Sequence, residues 1–372
     1  MIRDGLRTRS LEWAVSRRLA TQRLTSPALP SAADAVRTLL AVQAQDAPLA
    51  TWSLGLRSRR DTHGAVRAEQ DAGTFVRTHV LRPTWHYVAA EDLRWLLGLT
   101  SATVERGMAS RHRQLELDDR TIAASIDAVA QLLSGGHALT RKQLGPLLAD
   151  RGLPGPGERL AHVLLLAELR GVVCSGPHDG REHTYALLEE RLAPDPDPPA
   201  ERDESLVRLV TRFFHGHGPA GVADLVRWAA VTTREVRRGL DAAGDRLAAA
   251  VVEGEEQWFD PAAPPRASRG SRHRGLLLPT FDEVVLSYVR TPFPRVEEHV
   301  RGDRRLSPAE VGGGAVVVDG RDVGTWRRIV SPTAVRVRVH VSPAVRDATL
   351  EPIHGAAERL ASFVGLPLSF DV

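Results

Sequence analysis

Gln43 and Gln45 are the residues whose type and spacing could do chemistry. They follow the apolar run Leu39-Leu40-Ala41-Val42, are separated by Ala44, and lead into Asp46, Ala47 and Pro48. A side-chain amide accepts through its carbonyl and donates through its NH₂, so two of them can hold and aim a water molecule. Neither has useful basicity, which excludes a strong general base. The two can converge only on extended backbone, because residues two apart stand about 200° apart around a helix but share one face of a strand. Pro48 predicts that the preceding helix ends here, since proline biases its predecessor away from helical geometry and is favoured in the first turn of a new helix. From these residues alone, two helix-end amides that merely cap backbone groups are the more common arrangement.

The elements that must position the pair follow from periodicity. Ser10 to Leu24 has a helical pattern, with Leu11, Ala14, Val15 and Leu19 on one face, ended by Pro27 and Pro30. Ser31 then predicts an N-cap for a helix carrying Ala35, Val36, Leu39, Leu40 and Val42. Two short helices, Pro48 to Leu56 and Thr62 to Asp71, precede a change of period to two. Phe75 to Val80 and Thr84 to Val88, joined across Leu81-Arg82-Pro83, form a β-hairpin. Helices followed by a hairpin is the order of a winged helix-turn-helix, a fold that often serves nucleic acid.

The order recurs. Helices over 118–133, 139–151 and 158–169 lead to strands at Val172–Ser175 and Thr184–Leu188. A third copy starts near Asp203, with helices over 221–229 and 232–242 and strands near 247–253 and 257–259. The proline run from Pro194 to Pro199 marks a linker, and Arg266 to Arg274 reads as a solvated loop. From Gly275 on, Ala315 to Val318, Val323 to Ile329 and Ala334 to Val341 alternate as strands, and Ile353 to Val364 closes as a helix. The predicted fold class is α+β: three tandem winged helix-turn-helix units at 1–90, 91–193 and 203–262, then a barrel-like β-rich segment at 275–372.

Composition narrows the chemistry. At 42% hydrophobic over 372 residues, the chain can bury two or three cores. No run approaches 18 apolar residues and Met1-Ile2-Arg3-Asp4 does not begin a signal peptide, so a soluble, cytoplasmic protein with no membrane partner is expected. Cys174 is the only cysteine, excluding an internal disulfide and a thiolate-rich metal site. His79, His86, His178, His183, His215 and His217 show no repeated carboxylate–histidine spacing, and no metal is expected. The net charge is only +3, but Lys142 is the sole lysine; every other cation is arginine, whose planar fork suits phosphate. Codon bias toward arginine explains that usage equally well.

Four ordered motifs now carry a resemblance. Leu39 to Pro48 with its Gln-Ala-Gln core, Arg82-Pro83-Thr84-Trp85-His86, Leu277 to Tyr288 with Pro279-Thr280-Phe281-Asp282-Glu283, and Asp319 to Trp326 together resemble the AlkZ and YcaQ family of bacterial DNA glycosylases. The resemblance spans nearly the whole chain. It implies that Gln43 and Gln45 are catalytic and that the Gln-x-Gln form follows the AlkZ branch, associated with self-resistance to DNA-crosslinking natural products. It also implies a bacterial enzyme used at the nucleoid, a monomer acting on double-stranded DNA bearing alkylated purines, with no cofactor.

Asp46, His86 and Trp52 are candidate support for the glutamines. Arg57, Arg59, Arg60, Arg327 and Arg328 are candidate DNA contacts. Trp52, Trp85 and Tyr87 lie near the glutamines but read better as core than as a cage for a flipped base. The stretch Phe281-Asp282-Glu283 reads as an acidic turn holding the β-rich segment against the repeats. The alternative function is a binding-only winged-helix regulator, which would not need the glutamine pair.

Overall fold

The computed structural model describes residues 5–59, 62–194, 201–263, 274–290, 292–294, 296 and 313–372. Ser31 caps the helix Ala32–Leu39, its hydroxyl accepting from Asp34 N–H. That helix stops before the apolar run does. Leu40, fully buried, takes φ +66° and turns the chain out of the helix into the strand Ala41–Gln43. The expected continuation through Leu40 and Val42 is therefore corrected. A non-glycine residue held there costs about 1–3 kcal/mol, so burial and strand pairing must over-determine it.

The strand Ala41–Gln43 forms the edge of a three-stranded sheet, beside Arg82–Ala89 and then Phe75–Val80. Helices Ala47–Gly55 and His63–Asp71, capped by Asp46 and Thr62, connect the edge strand to the hairpin. The order helix, short strand, two helices, hairpin appears again between Asp119 and Leu187. There Leu139–Thr140 is the edge, Thr184–Leu187 the centre and Val173–Ser175 the far strand. It appears a third time from Arg202 to Phe259, with an isolated bridge between Ala220 and Trp258 in the place of the short strand. The linker at Pro194–Pro199 and the loop at Arg266–Arg274 fall almost wholly outside the described residues.

One continuous apolar core joins the first repeat, the third repeat and the C-terminal sheet, while a second core fills the middle repeat. The N-terminal helix Leu11–Thr21 is bonded to the third repeat: Arg18 Nε donates to Pro219 O at 2.8 Å and Thr21 Oγ1 to Gly218 O at 3.0 Å.

The C-terminal segment is an open five-stranded sheet, not a barrel. Its order is Gly275–Pro279, Gly313–Val318, Arg321–Val330, Val335–Val341 and Leu368–Asp371, with two free edges. The helix Arg346–Val364 covers one face and returns the chain so that the last strand runs parallel to its neighbour. A helix seated on the sheet buries the face that closure into a barrel would otherwise have to bury.

What docks this sheet is a buried ion pair. Arg57 and Asp282 both have no exposed side-chain surface; Arg57 Nη1 donates to Asp282 Oδ2 at 2.8 Å and Nη2 to Oδ1 at 2.7 Å. Gln22 Oε1 and Ser53 O accept the remaining Nη protons. Removing one partner strands a buried charge, so Arg57→Ala or Asp282→Ala should each lose about 3–5 kcal/mol of stability. Urea denaturation should show the double variant Arg57→Met/Asp282→Leu losing less than either single change. Additive losses in the double variant would contradict the pairing.

Candidate active site

Antiparallel pairing sets Gln43 opposite His86 and sends Ala44 N–H to Trp85 O at 2.7 Å. On an edge strand the alternate N–H points away from the sheet and needs another acceptor. For Gln43 that acceptor is Glu283 Oε1, at 2.7 Å. Gln43 is 7% exposed and Gln45 is exposed, so the pair runs from the interior to the surface. Gln45 Oε1 accepts a long bond, 3.4 Å, from Trp85 N–H, which ties that amide back to the hairpin.

Arg77 braces the same turn from the far strand. Its Nε donates to Ala44 O at 2.9 Å and its Nη2 to Gln45 O at 3.4 Å, while the guanidinium lies 4.1 Å from the Trp85 ring centroid. Its own N–H donates to Ser175 Oγ of the middle repeat at 2.8 Å. His183 and Tyr185 of that repeat also flank Trp85, with centroids at 4.8 and 6.3 Å. Asp46 caps the next helix, accepting Leu49 N–H at 3.0 Å, and its charge partly offsets the burial that lowers the pKa of Arg328. Arg328 therefore brings a cation from the C-terminal sheet toward the glutamines.

Beneath the strand lies a buried polar cluster. Glu283 Oε2 accepts Trp228 Nε1–H at 2.9 Å and Ser287 Oγ–H at 3.0 Å, and His217 Nε2 is 3.6 Å away. Burial alone would raise the Glu283 pKa; hydrogen bonding and the charges of His217 and Arg82 outweigh it and bring it to about 2. His86 is fully buried and, mainly through desolvation with Arg82 nearby, its pKa falls to about 3. Neutral His86 must then carry its proton on Nδ1, donating to Thr84 O at 2.8 Å, and accept on Nε2 from Arg82 at 3.4 Å.

Burial corrects the roles expected of His86 and Arg57 and bears out the core reading of Trp52 and Tyr87. His86, a candidate support for the glutamines, is 0% exposed and uncharged and so offers no cation to the site or to DNA. Trp52 is core, its Nε1 donating to Leu277 O at 2.9 Å and its ring packed on Phe363. Tyr87 is likewise buried, against Phe75. Arg57 has no surface with which to touch DNA. Arg59 is exposed, while Arg60 lies outside the described residues. Strand alternation puts Arg327 and Arg328 on opposite faces, Arg327 outward. Arg77, Trp228 and Glu283 were missed as site residues. The one available signal was the pair of carboxylates in the otherwise apolar Leu276–Val285 segment.

The histidines are engaged individually: His79 with Glu168, His178 with Asp71, His215 with Asp260. Among the described residues no three His, Cys, Asp or Glu side chains group to hold a metal ion. Nor is any described helix long and apolar enough to cross a membrane.

The lowered pKa values have a definite sign. Unfolded, His86 would bind a proton from pH 6.5 downward and Glu283 from 4.5; folded, they resist to about 3 and about 2. The unfolded chain thus takes up more protons, and stability falls as pH drops through these windows. The urea midpoint should decline below about pH 6.5, and His86→Asn should flatten the upper part of that decline. A midpoint constant from neutrality to pH 4.5, the ordinary Glu value, would contradict the assignment.

Comparison with known proteins places the chain in a family. The family model "DNA glycosylase AlkZ-like" matches residues 36–363. A curated protein of Streptomyces sahachiroi, "Interstrand DNA cross-link repair glycosylase", is 26% identical over 348 residues, covering 89% of this chain and 92% of the relative. The solved structure of Streptomyces sahachiroi DNA glycosylase AlkZ shares the fold, with a TM-score of 0.73 at 23% identity over 98% of this chain and 100% of that one. With the matched region running from the helix before Gln43 to the helix that covers the last sheet, the chain belongs to the AlkZ-like DNA glycosylase family.

Proposed function

We propose that the chain is a monofunctional DNA glycosylase that hydrolyses the N-glycosidic bond of cationic N7-alkylated purines, including bulky adducts and interstrand crosslinks. The observation that carries this reading is the Gln43–Gln45 turn: two neutral amides at and just past the end of the edge strand, braced by Arg77 and Glu283 rather than by a titrating base. A guanine alkylated at N7 already bears positive charge and departs from C1′ without a proton. The protein needs only to hold the water and favour the oxocarbenium-like sugar. Gln43 and Gln45 orient the water, and Asp46 supplies negative charge beside them. The name of the Streptomyces sahachiroi relative supports crosslinked DNA as a substrate.

The three helix–strand–helix–helix–hairpin repeats are read as tandem winged helices that hold duplex DNA as a monomer. Exposed Arg59 and Arg327, with Arg328 nearer the glutamines, supply phosphate contacts. Ile329 and Val330, 61% and 50% exposed at the end of the strand carrying both arginines, suit a minor-groove wall. Strand cleavage through a Schiff base is not expected, since Lys142 lies on the middle repeat, paired with Glu182.

Purified protein should release N7-methylguanine from duplex DNA, leaving an intact abasic site. Gln43→Ala and Gln45→Ala should each slow single-turnover release by about 100-fold or more. Full activity in both variants would overturn the assignment, and borohydride trapping of a protein–DNA adduct would overturn the monofunctional mechanism. Retention of one particular undamaged sequence with no release is the result a DNA-binding regulator would give.

A further inference from the structure

The carboxylate under the glutamine strand does more than dock the C-terminal sheet. Docking is already served by Asp282, whose charge is met by the two-pronged Arg57 contact. Glu283 has no such partner. Its two oxygens are divided between opposite tasks: Oε2 takes Trp228 and Ser287, from the third repeat and its own short helix, and Oε1 takes the Gln43 N–H. A buried ionised carboxylate met by His217 Nε2 at 3.6 Å and by neutral donors, with no bidentate cation, costs stability relative to an apolar residue of its size. Its placement is therefore better explained by what it holds.

We propose that Glu283 is a positioning residue for base release: anchored by Trp228 and Ser287, it fixes the Gln43 peptide at the open edge of the sheet and so aims the Gln43 amide. The inference rests on the glycosylase reading above. Without Glu283 the edge N–H has no sheet partner, and the strand, only three residues long and entered from strained Leu40, can shift outward. The carboxylate also sets a negative charge behind the place where positive charge develops on the sugar, in a water-poor environment where such charge counts most. The Streptomyces-like fold and the glutamine motif do not by themselves require it; the bond between residues 240 apart in sequence does.

The test pairs Glu283→Asp, which keeps the charge but shortens the reach, with Glu283→Gln, which keeps the length but loses the charge. Single-turnover release from a duplex with one N7-methylguanine should fall about 30- to 100-fold in both, because a displacement near 1 Å is enough for such losses. Affinity for the same duplex should stay within about threefold, so that saturating protein does not restore the rate. Should either variant fail to fold, Ser287→Ala, which frees one side of the carboxylate without touching Gln43, should slow release about threefold to tenfold at unchanged affinity. Wild-type rates in folded variants, or rate and affinity falling together with the urea midpoint, overturn the inference. A wild-type protein that releases no base overturns the glycosylase reading and this inference with it, a result distinct from either.

Discussion

Two adjacent carboxylates with no solvent exposure, Asp282 and Glu283, tie the first repeat to the C-terminal segment across 225 and 240 positions. Asp282 receives Arg57 from the loop after the second helix of the first repeat, and Glu283 receives the backbone of Gln43. Burying either charge is costly, so both are tolerable only with their lone pairs filled. Once filled, they fix the C-terminal sheet against the first repeat. The glutamine turn is thus one end of a buried polar network in which the oxygens of both carboxylates are engaged, which is what a site that aims a single water requires.

Much of the secondary structure was legible in the sequence, because its signals are local. Ser31 and Thr62 cap the helices they were placed to start, and the period-two runs at Phe75–Val80 and Val335–Val341 are strands. Local signals also located the end of the helix near Gln43. They missed the turn itself by three residues, since Leu40 is an apolar residue in a conformation that only tertiary packing enforces.

What depended on distant partners was not legible. Arg57 at the end of a helix resembles any solvated arginine until Asp282 is brought to it from 225 positions away. His86 resembles a surface cation until burial strips its charge. The alternation of the last strands is equally compatible with a barrel and with an open sheet; the seat of the helix Arg346–Val364 on one face decides between them. The end of the strand at Gln43, by contrast, lies where Pro48 and the change of residue type had placed the end of helical backbone.

The central claim is that neutral amides suffice because the departing base is already cationic, with no side chain accepting or giving a proton in the rate-limiting step. The most direct test is the pH dependence of the single-turnover rate of N7-methylguanine release, measured at saturating protein and corrected for spontaneous loss. The account predicts a flat profile from about pH 6 to 9. A limb changing tenfold per pH unit, or a bell, would reveal a titrating acid or base and contradict it.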